Sequence, residues 1–490
     1  MPNPYVRADV WTLTENDPII TAYASAVAAM QAKSPTDPTS WSYQAAIHGT
    51  LATSPLPQWN QCRHGTWYFV SWHRMYLYYF ERIVRAQVIA NGGPSTWALP
   101  YWNYGGGGDF NTLPLAFRQP TNSDGSANPL YTADRGPGIN VGAGLASAIT
   151  SAEAAFACTS FTGIAEFGGG LTSPLGQFEG QYGVLETTPH NAVHTAMAGL
   201  MGDPDTAAQD PIFWLHHANI DRIWWDWQQS HAGDPSDPAW TTQSFSFFDV
   251  GGIPATLTDA GTIDIVNQLD YTYSGDQALI PRLPHFPMRL HWPFPLVTVL
   301  GITRVPPSPL PNPGPEMPRQ LIGATEGPVR LTGDSVTVPV TIDQRATQAL
   351  RADPHAGRFQ HRVFLDVGNI EGERNPGTVY GVYVNLPPSP TSEDLDVHHA
   401  GNVSFFGIER ARNPRGDEHA HGLHYSMEIT RLLDQQAAEG SWRDGRRLDV
   451  TFQPIPLEAP PGRPDIAAEL ENTQHPDMPI TIGQVSLHYA

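Results

Sequence analysis

Cysteine is almost absent from this chain of 490 residues, which holds only Cys62 and Cys158. So few exclude a disulfide framework and any cysteine-built zinc or iron–sulfur site. Lysine is scarcer still: Lys33 stands alone, and nearly every basic side chain is arginine, as a GC-rich genome would favour. Basic residues are few overall, 27 Lys and Arg against 48 Asp and Glu, a formal charge of -21. A surface of that sign repels phosphate, so nucleic acid is excluded as an expected partner. No apolar run approaches the ~18 residues of a membrane helix, so no membrane partner is expected either. The opening MPNPYVRADVWTLTENDP lacks the basic and apolar regions of a signal peptide, which points to the cytoplasm.

What is abundant is histidine, 19 residues in all. If this chain binds a metal, imidazole or carboxylate must hold it. The length exceeds one ordinary core, so two or more domains are expected. Residues 1–275 are aromatic-rich, with helical patterns at Ile19–Gln31, Thr66–Val88 and Pro211–Gln229. The last begins with Asp210 as a natural N-cap and Pro211 at the first helical position. Twelve prolines between Pro281 and Gln320 then mark a stiff, extended connection, assigned to 276–325. Beyond it, short β-rich runs (335–342, 361–367, 379–386, 402–408, 423–430 and 447–455) alternate with turn residues. The expected fold is multidomain: a mainly α domain with a four-helix bundle, then a C-terminal β-sandwich or barrel over 326–490.

The histidines cluster with meaning. His73 sits inside the second helical pattern, and His64 precedes it in a loop. His48 ends a short helical segment that Gly49 stops. His190 and His194 are four apart and share one helix face. His216 follows on the third helix, and its neighbour His217 is expected to face away. Two three-histidine sets in a bundle make a metal pair. Ferritin-like di-iron sites need Glu-x-x-His ligands, which are absent, and one such set alone would suit catalytic zinc. Two uncharged sets without a bridging carboxylate point to copper.

The stretch from His64 to Glu81, H-x4-F-V-S-W-H-R-x2-L-x3-E, resembles the copper A signature of the type 3 copper family. The family comprises tyrosinases, catechol oxidases and haemocyanins. The stretch Asp210–Asp221, D-P-I-F-W-L-H-H-x3-D, resembles its copper B signature. The resemblance implies two copper ions, with His48, His64 and His73 on one and His190, His194 and His216 on the other, and O2 as co-substrate. It implies a thioether from Cys62 to His64, as in fungal and molluscan members. Cys158 reads as structural. Glu186 and Asn191 would hold a water that takes the phenol proton. Asp221, with Asn219 and Arg222, would fix the helices. Leu269–Tyr273 resembles the motif that closes the catalytic domain, with Arg7 packed on Tyr273. Met201–Thr206 and Thr195 would border the pocket mouth.

The implied activity is tyrosinase-type: ortho-hydroxylation of small phenols and oxidation of o-diphenols to o-quinones. A strict catechol or o-aminophenol oxidase and a haemocyanin-like O2 carrier are the alternatives. The resemblance also implies latency, with the C-terminal domain as a lid and an aromatic between Tyr380 and Phe406 as its placeholder. A homo-oligomer is left open. His398, His399, His419, His421 and His424 are expected as solvated loop histidines, with a copper-relay site as the alternative.

Overall fold

The computed structural model describes residues 4–106, 108–170, 181–231, 233–275, 319–343, 361–413, 422–440, 442, 446–473 and 478–490. Most of the expected proline-rich connection, 276–318, lies outside them, as do His419 and His421. None of the described helices is long and apolar enough to cross a membrane.

The helical half is organised around four segments. Helix α1 spans Pro18–Gln31, and its first turn is fixed by Asp17, whose carboxylate accepts the Ile19 N–H at 2.8 Å. Helix α2 is Trp41–His48 and α3 is Phe69–Ala90. A π-helical turn, Glu186–Asn191, runs into α4, Ala192–Met197. Helix α5 is Pro211–Ser230, N-capped by Asp210 as its sequence predicts. The side chain of Asp210 is also gripped by Arg135, with both contacts at 2.7 Å. Helices α2, α3, α4 and α5 carry the clustered histidines, except His64, which comes from the loop before α3, and His190, which sits in the π-helical turn.

Two short strands close this half. Strand β1, Tyr5–Arg7, pairs in parallel with β4, Tyr271–Tyr273, and a hairpin of β2, Ser244–Asp249, and β3, Ile253–Thr258, lies between them in sequence. Arg7 is thereby carried into the core. Its guanidinium meets Glu81 at 2.7 Å and Asp221 at 3.0 Å, donates to the Tyr273 hydroxyl at 2.8 Å, and lies over the Tyr271 ring. Asp221 also binds Arg74 of α3 and accepts from the hydroxyls of Tyr271 and Tyr273. One buried carboxylate therefore ties α5 to α3 and to both short strands. Such a pair resists removal of either partner far more than it adds net stability.

The second half is a nearly closed antiparallel β-barrel. Its strands are β5 (Gln320–Ala324), β6 (Val329–Leu331), β7 (Val336–Ile342), β8 (Val363–Glu371), β9 (Val379–Val384), β10 (His399–Val403), β11 (Leu423–Glu428), β12 (Arg447–Ile455) and β13 (Ile480–Tyr489). The order is β10-β9-β12-β7-β5-β13-β8-β11, with β6 beside β13. The two ends of that order, β10 and β11, are joined by side chains. The Tyr425 hydroxyl donates to the Ser404 carbonyl at 2.9 Å and lies 3.1 Å from Ser404 Oγ.

Three expectations change here. The barrel begins at Gln320, inside the segment assigned to the connection. β5 is five residues long and follows directly on the prolines, so no local signal sets it apart. The expected strand 402–408 ends at Val403, and the chain then turns into a helix at Ile408–Arg412, because Gly407 adopts a left-handed φ of 83°. The strands β5, β6 and β13 and the helices Ser392–His398, Thr430–Glu439 and Pro464–Thr473 have no counterpart among the sequence-based expectations.

Candidate metal centre

The helices deliver two groups of buried histidines to one place. His48, His64 and His73 have ligand atoms within 4.8 Å of one another, and so do His190, His194, His216 and His217. The rings of the two groups touch: His64 and His190 have centroids 5.6 Å apart, and His73 and His217 stack at 4.4 Å with planes 8° apart.

His217 therefore does not face away. Phe213, one turn earlier on α5, packs edge-on against His48 at 4.9 Å and marks the face of α5 turned to the centre. His217 shares that face. Its Nε2 lies 3.4 Å from His194 Nε2. Two nitrogens each about 2.0 Å from one tetrahedral ion stand roughly 3.3 Å apart, so this pair is spaced for a shared cation. His216 also reaches the second group, with its ring 4.7 Å from His194 and 5.3 Å from His190.

Orientation is set by the second ring nitrogen. His73 Nδ1 bonds the Phe69 carbonyl one turn back at 2.8 Å, and His48 Nδ1 bonds the Pro204 carbonyl at 2.8 Å. His194 Nδ1 bonds the Met201 carbonyl at 2.7 Å, and His190 Nδ1 bonds Asn191 Oδ1 at 2.8 Å. With Nδ1 committed, the Nε2 atoms of His48, His73 and His190 are buried without a hydrogen-bond partner among the described residues. That division of labour fits a metal ligand, in which one nitrogen coordinates and the other is held. Gly49 is part of the same device. A Cβ there would stand 2.3 Å from the Pro204 carbonyl oxygen that takes His48.

Burial also keeps these rings neutral. It pushes His48 down to about 4 and His216 to about 3, and holds His64, His73, His190, His194 and His217 well below the ordinary imidazole value. Neutral imidazoles with free lone pairs are what a late first-row metal requires.

Glu186 and Asn191 bracket the π-helical turn that precedes α4. Glu186 Oε1 accepts the Gly65 N–H at 2.8 Å, next to His64, which ties the two histidine groups together through one carboxylate. Its Oε2 is buried with no hydrogen-bond partner among the described residues, and the Asn191 side chain is buried beside the Tyr425 hydroxyl. Desolvation pushes the Glu186 carboxyl well above its ordinary value, with the Gly65 bond opposing. Cys62 is buried two residues before His64, and its N–H donates to the His48 carbonyl at 3.4 Å, so the segment 60–62 runs along the end of α2.

The barrel covers this centre. Phe406, the last aromatic of the expected placeholder segment, stacks on His194 at 4.0 Å with planes 14° apart. It meets His64 and His190 edge-on at 5.4 and 5.6 Å. The Phe405 N–H donates to Thr195 Oγ1 at 2.9 Å, and Asn375 donates to the Gly202 carbonyl at 3.2 Å. Arg410 pairs with Asp205 at 3.2 Å. The segment Met201–Thr206 is thus more than a rim: it orients two histidines on one side and receives the barrel on the other.

A family profile described as the common central domain of tyrosinase matches residues 38–138 and 147–230, and one described as a domain of unknown function matches 318–490. The chain is 30% identical to a tyrosinase of Hahella sp. (strain CCB-MM4), over 98% of this chain and 98% of that one. The chain belongs to the tyrosinase family. It is also 25% identical to the latent form of a polyphenol oxidase from Prunus armeniaca, over 91% of this chain and 72% of the relative. Two solved structures share its fold at 20% identity: a latent aurone synthase (TM-score 0.63, covering 100% of this chain and 90% of that one) and latent apple tyrosinase (TM-score 0.59, 100% and 97%). Tyrosinases are copper oxidoreductases, and the two histidine groups fit a dinuclear copper site by donor type, convergence and neutrality.

Sequence reasoning misassigns one contributor to this tyrosinase site, His217, and misses two others. His217 is visible in retrospect as the residue one turn after Phe213. The carbonyls of Met201 and Pro204 carry no side-chain signal at all. Three of the remaining histidines stay apart from the centre: His398 Nδ1 bonds the Val384 carbonyl at 2.7 Å, His399 Nε2 bonds Asn402 at 3.0 Å, and His424 lies 4.0 Å from Asp366.

Proposed function

We propose that this tyrosinase oxidises small phenols with O2, hydroxylating monophenols and converting o-diphenols to o-quinones, and that the barrel keeps it latent. His48, His64 and His73 would hold one copper. His190 and His194 would hold the other with His217, and His216 is the alternative third donor. When bound, the copper pair supplies the electron transfer between the phenol and O2. The observation that carries the substrate class is Phe406. Its flat, phenol-sized ring lies face-on against His194, deep within the histidine groups. A substrate ring would take this place once the barrel moves.

The chain's own residues supply orientation and proton transfer. Glu186 Oε2, an acceptor with no partner among the described residues, would bind a water there together with the Asn191 amide in the same turn. A phenol titrates at about 10, so a positioned acceptor for its proton matters at neutral pH. We assign that role to the water held by Glu186. A thioether from Cys62 to His64 would lock that imidazole within its loop.

The test is turnover of tyramine, tyrosine and catechol by the copper-loaded protein after limited proteolysis has displaced the barrel. Quinone from all three is expected. Quinone from catechol alone would make the protein a strict catechol oxidase. Reversible O2 uptake without any quinone would make it a carrier and overturn the proposal.

A further inference from the structure

Two hydrophobic cores meet where the barrel sits on the helices, and each contains a side chain from the other half. Phe406 and Val379 of the barrel are buried in the helical core. Tyr182 of the helical half is buried in the core of the barrel. Tyr182 stands four residues before Glu186, on the approach to the π-helical turn. Its ring stacks on Tyr425 of β11, with centroids 5.2 Å apart and planes 18° apart. Tyr425 is the residue whose hydroxyl bonds Ser404, just past the end of β10. These contacts fall where the barrel lacks a strand ladder, between β10 and β11. Among the described residues the buried Tyr182 hydroxyl has no hydrogen-bond partner. The slot therefore accepts the ring and offers nothing to the phenolic oxygen.

We propose that the seam between β10 and β11 is a slot for one aromatic ring, filled by Tyr182, and that it holds the barrel on the helical half independently of Phe406. Occlusion and retention then belong to different residues. Phe406 packs on imidazoles, and a substrate ring can replace it there. Tyr182 is enclosed by the barrel's apolar residues, where loss of an aromatic ring leaves a cavity that no neighbour fills. The barrel can thus remain docked while its placeholder is exchanged, or come away with its placeholder intact.

This proposal rests on the reading that the barrel covers a working copper centre, and its test separates the two. Hydrogen exchange of 399–403 and 423–428 and catechol turnover are measured in the full chain for the parent, Y182F, Y182A and F406A. Y182F is expected to match the parent in both measurements, because the hydroxyl is unused. Y182A is expected to raise exchange in both strands by about 10-fold or more, while Phe69–Ala90 stays protected, and to raise turnover. F406A is expected to raise turnover with less than about 3-fold change in strand exchange. Where Y182A fails to fold, Y182L makes the same comparison at larger volume. Parental exchange in Y182A, exchange in Y182F as fast as in Y182A, or equal loosening by F406A would overturn the proposal. A chain without catechol turnover in any variant would refute the functional reading, while exchange would still decide the slot.

Discussion

The two adjacent histidines of α5 can be told apart by replacing each with glutamine. His217 lies between the groups: its ring is 4.4 Å from His73, 4.9 Å from His190 and 6.2 Å from His48. Its Nε2 faces His194 Nε2 at the spacing of two donors on one ion. His216 has rings of the second group and Tyr104 beside it, the last at 5.7 Å. Among the described ring contacts it approaches none of His48, His64 and His73. A residue that only supports a ligand changes metal affinity by about 10- to 100-fold, and loss of a direct donor should exceed that range. H217Q is therefore expected to weaken the second copper by more than about 100-fold, roughly 2.7 kcal/mol. H216Q should stay within the smaller range. The assay is copper content along a chelator series. H217Q should fall to a single copper per chain under conditions in which H216Q and the parent keep both. The reasoning fails if H216Q loses a copper while H217Q holds two.

Removing the Asp221 carboxylate by D221N leaves Arg7 and Arg74 buried without their shared anion. Breaking such a pair costs about 3–5 kcal/mol, and thermal unfolding should begin roughly 10 °C earlier; a change below about 1 kcal/mol would contradict it. Glu409, on the barrel, is raised to about 6 by desolvation and by Asp203, with Asp205 adding to the effect and Arg374 opposing it. A raised carboxyl favours the docked state below the ordinary value and loses that contribution as pH rises through about 6. Proteolytic release of the barrel should accordingly be faster at pH 7 than at pH 5, and E409Q should flatten the difference. If Cys62 joins His64, with O2 taking up the two electrons and two protons, chain loaded with copper in air and then stripped of metal should weigh two hydrogen atoms less than chain never exposed to copper, and C62S should abolish the loss.

Much of the centre is legible in the amino-acid sequence. Asp210-Pro211 start α5 because a carboxylate cap and a proline without N–H suit the first turn of any helix. Gly49 ends α2 at His48. The spacing of four brings His190 and His194 to one face, and although His190 sits in the π-helical turn their rings stand 4.6 Å apart. The shift from aromatic helices to alternating strands, with prolines between, separates two domains. In each case the cause is local, so a short stretch of chain carries the whole argument.

Other features have partners far away in sequence and no local trace. His217 turns inward because α3 and α5 are locked together through Asp221, Arg74 and Arg7, which sets the rotation of α5. His48 and His194 are aimed by carbonyls of Pro204 and Met201, groups that every residue type possesses. β5 and β13, at opposite ends of the barrel sequence, pair with each other, and β13 pairs further with β8 and β5 with β7. Phe406 reaches the histidines only because the chain leaves β10 at Val403 and is seated by Thr195. Local pattern settles which atoms can bind metal and on which elements they ride. Packing between distant segments settles where those atoms point, which of two neighbouring histidines meets the first group, and what covers them both.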